Sequence, residues 1–190
     1  MREGRDEAHT PQGCGSVDLT PPVGGRDRVR GPSGATVTLV EFGDYDCPYT
    51  VRAYSAVRGL RRRLGDRMRF VFRTFPLMEI HAHARWSAAE AAEAAAAQRK
   101  FWGMHDRLFE ARRRLEHEDL LRYAAEVGLD TRRFDREMAE HVHAGRVRED
   151  LESGLASGVP GTPTFFINGA RHRGSHDLET LLAAMEDASR

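Results

Sequence analysis

The stretch ATVTLVEFGDYDCPYT, residues 35–50, constrains the fold more than any other part of the 190-residue sequence. Residues 35–42 are β-branched, short and apolar on both faces, which predicts a strand central in a sheet with helices covering each side. Cys47-Pro48 then opens a helix-forming run that reaches Leu64. Pro48 suits a first helical turn, where its φ is already set and its missing N–H would have had no partner. Cys47 is therefore the expected N-cap and Gly65 the expected residue just past the end. A second apolar run, RMRFVFRTF at 67–75, stops at Pro76. Strand, helix and strand at these spacings predict a right-handed crossover and a parallel pair.

The middle of the chain is helical in pattern. HARWSAAEAAEAAAAQ (83–98) forms helix on propensity alone, and KFWGMHDRLFEARRRL (100–115) sets Phe101, His105, Leu108 and Phe109 at helical spacing. Phe101, Trp102 and Met104 read as ordinary core. EDLLRYAAEVGLD (118–130) ends at Gly128, Asp130 can cap TRRFDREMAEH, and a further helix covers about 143–156. This run, about 80–156, reads as an insertion packed on the sheet. TPTFFINGARHRG (162–174) holds Asn168-Gly169 between two strand-like runs, a strong hairpin signal, and SHDLETLLAAMEDA (175–188) is an amphipathic last helix. Residues 1–24 are polar, rich in Gly and Pro and without periodicity, so a disordered tail is expected there, with one domain over 25–190.

The order βαβ, helices, ββα is the α/β thioredoxin fold with a helical insertion between its halves. TLVEFGDYDCPYT and GVPGTPTFFING resemble the active-site strand–helix and the cis-proline loop of DsbA-family thioredoxin-like proteins. EIHAHARWSAAEAA, KFWGMHDRLF and DLLRYAAEVGLD resemble that family's insertion. The resemblance runs from about Asp27 to the C-terminus and implies thiol–disulfide chemistry at Cys47, within a Cys47-Pro48-Tyr49-Thr50 motif. It also implies a cis Thr162–Pro163 bond beside the cysteine, with Thr162 offering backbone groups to a bound peptide or thiol. Glu41 matches the family's buried acid, which helps move a proton on and off the resolving cysteine.

The residues alone give part of this chemistry. A thiolate, not a thiol, is the nucleophile, and a free cysteine is mostly protonated at neutral pH. At an N-cap the sulfur would face unpaired backbone N–H groups and the positive end of the helix dipole, and both favour the anion. Thr50, three positions on, is expected to aim its hydroxyl at the sulfur. By alternation Glu41 shares a face with Val37 and Leu39, either as a buried acid or reaching water at the strand end.

Thr50 is also the departure from the family, because it stands where a resolving cysteine would be. Oxidation to a disulfide within the motif is excluded. Cys47 could act as a monothiol released by an external low-molecular-weight thiol. Alternatively Cys14, 33 positions away, could resolve it, or the groove could only bind peptides or a thiol. A further alternative resembles kappa-class glutathione transferases and hydroxychromene-carboxylate isomerases, which have a serine at the first motif position and use bound glutathione. For the thiol-exchange reading the expected partner is a protein or small-molecule disulfide or thiol, with no bound cofactor.

Composition narrows the rest. Formal net charge is zero, which argues against a dedicated binder of nucleic acid or anionic membrane. Lysine occurs once, at Lys100, so the basic residues are almost all arginine, which reads as coding bias. The RRR runs at 61–63 and 112–114 read as solvated helix faces. No segment is long and apolar enough to span a bilayer, and the first residues lack the apolar core of a signal peptide, so a cytoplasmic location is expected. Two cysteines exclude a disulfide framework. The pairs His81/His83, His141/His143 and His172/His176 suggest metal only superficially, because residues two apart in a helix face different ways. No metal is expected.

Overall fold

The computed structural model describes residues 18–76, 82–111 and 114–190. Cys14, His81 and the first two arginines of the 112–114 run lie outside the described residues. Five strands form one sheet: β1 (Arg28–Arg30), β2 (Val37–Gly43), β3 (Met68–Thr74), β4 (Thr164–Ile167) and β5 (Ala170–Arg171), in the order β1-β3-β2-β4-β5. β2 and β3 are parallel, with Val37 opposite Met68 and Gly43 opposite Thr74. β4 lies antiparallel on the other side of β2, with Leu39 opposite Ile167. The parallel pair is joined by α1 (Pro48–Leu64), and α7 (Leu178–Asp187) closes the chain. Between β3 and β4 lie α2 (Ala82–Ala97), α3 (Phe101–Glu110), α4 (His117–Glu126), α5 (Thr131–Ala139) and α6 (Ala144–Ala156).

The two-faced character of β2 is what places it in the middle. Val37 and Leu39 enter a core shared with α1, α7 and the inserted helices, while Val40 and Phe42 enter a second core with Val71, Phe75, Val159 and Phe166. Alternation assigns Glu41 to the larger core, and it is 2% exposed. The Asn168-Gly169 hairpin forms with φ of 48° and 89°, the left-handed pair that a two-residue turn of this hand requires. Gly65 ends α1 at φ 53°, with its N–H bonded to the Arg61 carbonyl.

Two features depart from the sequence reading. Residues 18–24, expected in a disordered tail, pack on the domain instead. Leu19 is buried and donates its N–H to the Gly169 carbonyl at 2.9 Å, and Thr20 N–H donates to Ser157 Oγ at 2.8 Å. Arg73 holds this segment from within: Nε donates to Asp27 Oδ1 at 2.7 Å and Nη1 to the Pro21 carbonyl at 3.0 Å. Nη1 also donates to Ser153 Oγ of α6 at 2.7 Å. Second, β1 adds an edge strand that the sequence did not announce, antiparallel to β3.

Candidate active site

The turn after β2 is built to present Cys47. Asp46 N–H donates to Asp44 Oδ1 at 2.8 Å and Cys47 N–H to the Asp44 carbonyl at 3.1 Å, so Asp44 folds the turn with its own side chain. The helix begins at once: Val51 N–H donates to the Cys47 carbonyl at 3.0 Å, with Cys47 as N-cap and Pro48 in the first turn. Gly43 permits the close start. A Cβ there would lie 2.5 Å from the Phe72 ring and 2.9 Å from the Thr50 methyl.

Cys47 is 4% exposed, and its Sγ donates to the Thr162 carbonyl oxygen at 3.2 Å. The Thr162–Pro163 peptide bond is cis. The sulfur, the α1 N-terminus and the proline loop therefore meet, joining residues 115 positions apart. Tyr49 projects outward at 62% exposure, with the Arg52 guanidinium 4.8 Å from its ring centre. Thr162 Oγ1 is buried without a hydrogen-bond partner.

Thr50 departs from expectation. It is fully buried, and its hydroxyl accepts from the Asp44 N–H at 3.4 Å. No hydrogen bond joins it to the sulfur among the described residues; the turn before the helix uses its oxygen as an acceptor.

Glu41 lies beneath the site with Oε1 buried and without a hydrogen-bond partner. Burial, and secondarily the negative charge that Cys47 can carry, push its carboxyl up to about 8 from an ordinary 4.5. At neutral pH this acid holds its proton. Of the two placements open in the sequence, the structure takes the buried one.

Several residues around the turn were not singled out from sequence. Arg85 of α2 reaches back to it, with Nη1 2.5 Å from Asp44 Oδ2 and Nε 3.4 Å from Asp46 Oδ2. Tyr45 is buried against Phe72 and Phe109, and its hydroxyl meets His105 Nδ1 of α3 at 3.1 Å. Burial pushes the His105 imidazole down to about 3, so it is neutral and purely a hydrogen-bonding partner. The inserted helices thus grip the Cys47 turn at two points. The sequence signal was the DYD tripeptide, two acids astride an aromatic, with nothing local to say which helix answers it.

The histidine pairs have other occupations. His141 and His143 sit in the turn between α5 and α6, not in a helix, and meet Glu90 at 2.9 Å and Glu137 at 2.8 Å respectively. The His172 and His176 ring centres are 6.4 Å apart. Among the described residues no group of three or more His, Cys, Asp or Glu side chains could hold a metal ion.

This geometry has counterparts. A family model described as thioredoxin matches residues 24–187. The chain belongs to the thioredoxin family. Within the family its fold is that of DsbA-like thiol–disulfide oxidoreductases. It is similar to a thioredoxin-like oxidoreductase from Silicibacter pomeroyi DSS-3, at 31% identity and TM-score 0.76, covering 90% of this chain and 95% of that one. Wolbachia pipientis alpha-DsbA1 shares the fold at 18% identity and TM-score 0.75, covering 92% and 96%. The chain is also 48% identical over 175 residues to a Salinispora tropica protein named Na(+)/H(+) antiporter NhaA 3. That match covers 92% of this chain and 26% of the antiporter, so the chain spans about a quarter of that relative's length. Among the described residues of this thioredoxin-family chain, no helix is long and apolar enough to cross a membrane.

Proposed function

We propose that the protein is a monothiol thiol–disulfide exchange enzyme, in which Cys47 forms a mixed disulfide with its substrate and an external thiol releases it. The observation that carries this reading is the Cys47 sulfur at the α1 N-terminus, 3.2 Å from the carbonyl preceding cis-Pro163, with Thr50 in place of a second motif cysteine. The Cys47 thiolate attacks one sulfur of a substrate disulfide. A new S–S bond forms to Cys47, the old one breaks, and the departing sulfur leaves as a thiolate that takes up a proton. A low-molecular-weight thiol, as its thiolate, then attacks the mixed disulfide and returns Cys47 to the thiolate. The substrate disulfide has exchanged one partner and no net oxidation has occurred.

In this reading Pro48 fixes the start of α1, Thr50 locks the turn through Asp44, and Tyr49 borders the entry. Thr162 and Pro163 form the wall against which the substrate lies. Glu41 stays protonated so that a second negative charge does not oppose the thiolate. We place the reaction in the cytoplasm, where small reduced thiols are abundant enough to complete the cycle.

The test is turnover with a model mixed disulfide by the parent and by Cys47→Ser. The reading requires exchange in the parent and none in the variant. Unchanged exchange in Cys47→Ser refutes it. No turnover in the parent, with ligand affinity kept in Cys47→Ser, would point to a binding module on the same fold.

A further inference from the structure

Two open concavities are bordered by the two elements that carry the site. One, of about 630 Å³, is bordered by the helical turn just after Cys47 and includes Tyr49, Arg52 and Asp177. The other, of about 430 Å³, is bordered by the proline loop that the sulfur touches and includes Pro163, Arg171 and Arg173. They share His176 as a lining residue and so lie next to each other there. Together they exceed what a small thiol fills and suit an extended chain.

The charge in this depression is mainly positive. Arg52, Arg171 and Arg173 line it, and Asp177 is the sole carboxylate among the lining residues. Asp177 is already engaged as the α7 N-cap: Oδ1 accepts from Thr180 N–H and Oδ2 from Thr180 Oγ1, each at 2.9 Å. The Ser175 hydroxyl first, and then these bonds, hold its carboxyl down at about 2. Burial, and secondarily His172 beside it, push the His176 imidazole down, and the arginines supply permanent positive charge. A chain with no net charge has concentrated cations beside its nucleophile. Clefts lined by one sign of charge focus the field and raise the local concentration of the opposite sign.

We propose that this groove selects disulfides carried on acidic peptide segments, with carboxylates flanking the substrate cysteine meeting Arg52 on the helix side and Arg171 on the loop side. The proposal rests on Cys47 acting as the exchanging thiol. Arg171 is held in place by its own bond, Nη1 donating to the Gly158 carbonyl at 3.2 Å. Arg52 lies on the exposed Tyr49 ring, a flat platform for a passing backbone.

The test uses three peptides of equal length, each bearing one mixed disulfide flanked by Glu, Gln or Lys, reacted with the Cys14→Ala protein in single turnovers at low and high salt. Two exposed charge contacts of ordinary strength predict about a tenfold faster reaction for the Glu peptide than for the Gln peptide at low salt, shrinking at high salt. In an Arg52→Glu, Arg171→Glu double variant the order should invert in favour of the Lys peptide. Equal rates for all three peptides overturn the proposal, as does an order that survives the double variant. A small carboxylate-bearing disulfide that reacts as fast as the Glu peptide overturns the assignment to peptides. Failure of every disulfide to react refutes the exchange reading itself.

Discussion

Replacing Glu41 by Gln should flatten the pH dependence of stability. The carboxyl is 2% exposed, and its folded-state value of about 8 stands against an ordinary 4.5 that the unfolded chain should show. Below the lower value the group is protonated in both states and contributes nothing to pH dependence. Between the two values the unfolded chain ionises while the folded protein keeps its proton, so stability falls by about 1.4 kcal/mol per pH unit. Above the upper value the loss levels off, at a total on the order of 5 kcal/mol. Glutamine cannot ionise. Urea unfolding of parent and Glu41→Gln across this range should give a stability difference that grows by about 3 kcal/mol between pH 4.5 and pH 7, in favour of the variant. The absolute offset depends on how well the amide packs, but the slope does not. Cys47→Ser should reach its plateau at a lower pH than the parent, because the sulfur's charge is the second cause of the raised value. Parallel curves for parent and Glu41→Gln would refute the claim that a buried, uncompensated carboxyl lies beneath the site.

Other perturbations probe the frame of the site. Asp27→Ala removes the carboxylate from a guanidinium whose side chain, like its own, is 0% exposed; the loss should be about 3–5 kcal/mol by urea unfolding. Gly43→Ala forces a methyl against the Phe72 ring and the Thr50 methyl and should cost about 1–3 kcal/mol, with slower exchange because the turn that presents Cys47 starts there. Thr50→Cys restores a second sulfur, so a Cys47 mixed disulfide that accumulates in the parent should no longer accumulate, as followed by intact-protein mass spectrometry. Tyr45→Phe removes the partner of the buried His105 Nδ1 and should cost about 1–3 kcal/mol.

The parts of the fold that were legible in the sequence are those specified by neighbouring residues. The two-faced apolar run of β2, the proline opening α1, Gly65 at its end and the Asn168-Gly169 turn each carry a local physical signature, and each forms where that signature lies. The N-terminal segment was not legible, because its anchors come from far along the chain. Ser157 answers Thr20 across 137 positions and Arg73 answers Pro21 across 52, so residues 18–24 read as a tail when taken alone. β1 is three residues long and makes its pairing at the sheet edge, too short for a periodic pattern to show.

The site divides in the same way. Cys47, Pro48 and Glu41 were found by spacing and alternation, and Pro163 by its resemblance to a known loop. Thr50 was singled out for a bond to the sulfur, and the structure shows it bonded to Asp44 instead. Helical spacing brings residue i+3 near the cap, yet the Asp44 N–H of the preceding turn also lies there and takes the oxygen. Arg85 could not have been found this way, since its ion pair with Asp44 spans 41 positions and arginine is abundant throughout the chain.

The central claim, that one sulfur reacts and an external thiol finishes the cycle, is tested most directly by intact-protein mass spectrometry. The native parent and its Cys14→Ala variant would each be mixed with a small disulfide, then treated with a reduced thiol. The account predicts a single adduct on Cys47 in both proteins, stable until the thiol is added and then released through repeated turnovers. An adduct that forms only after denaturation, or one that resolves unaided into a Cys14–Cys47 disulfide in the parent, would contradict it.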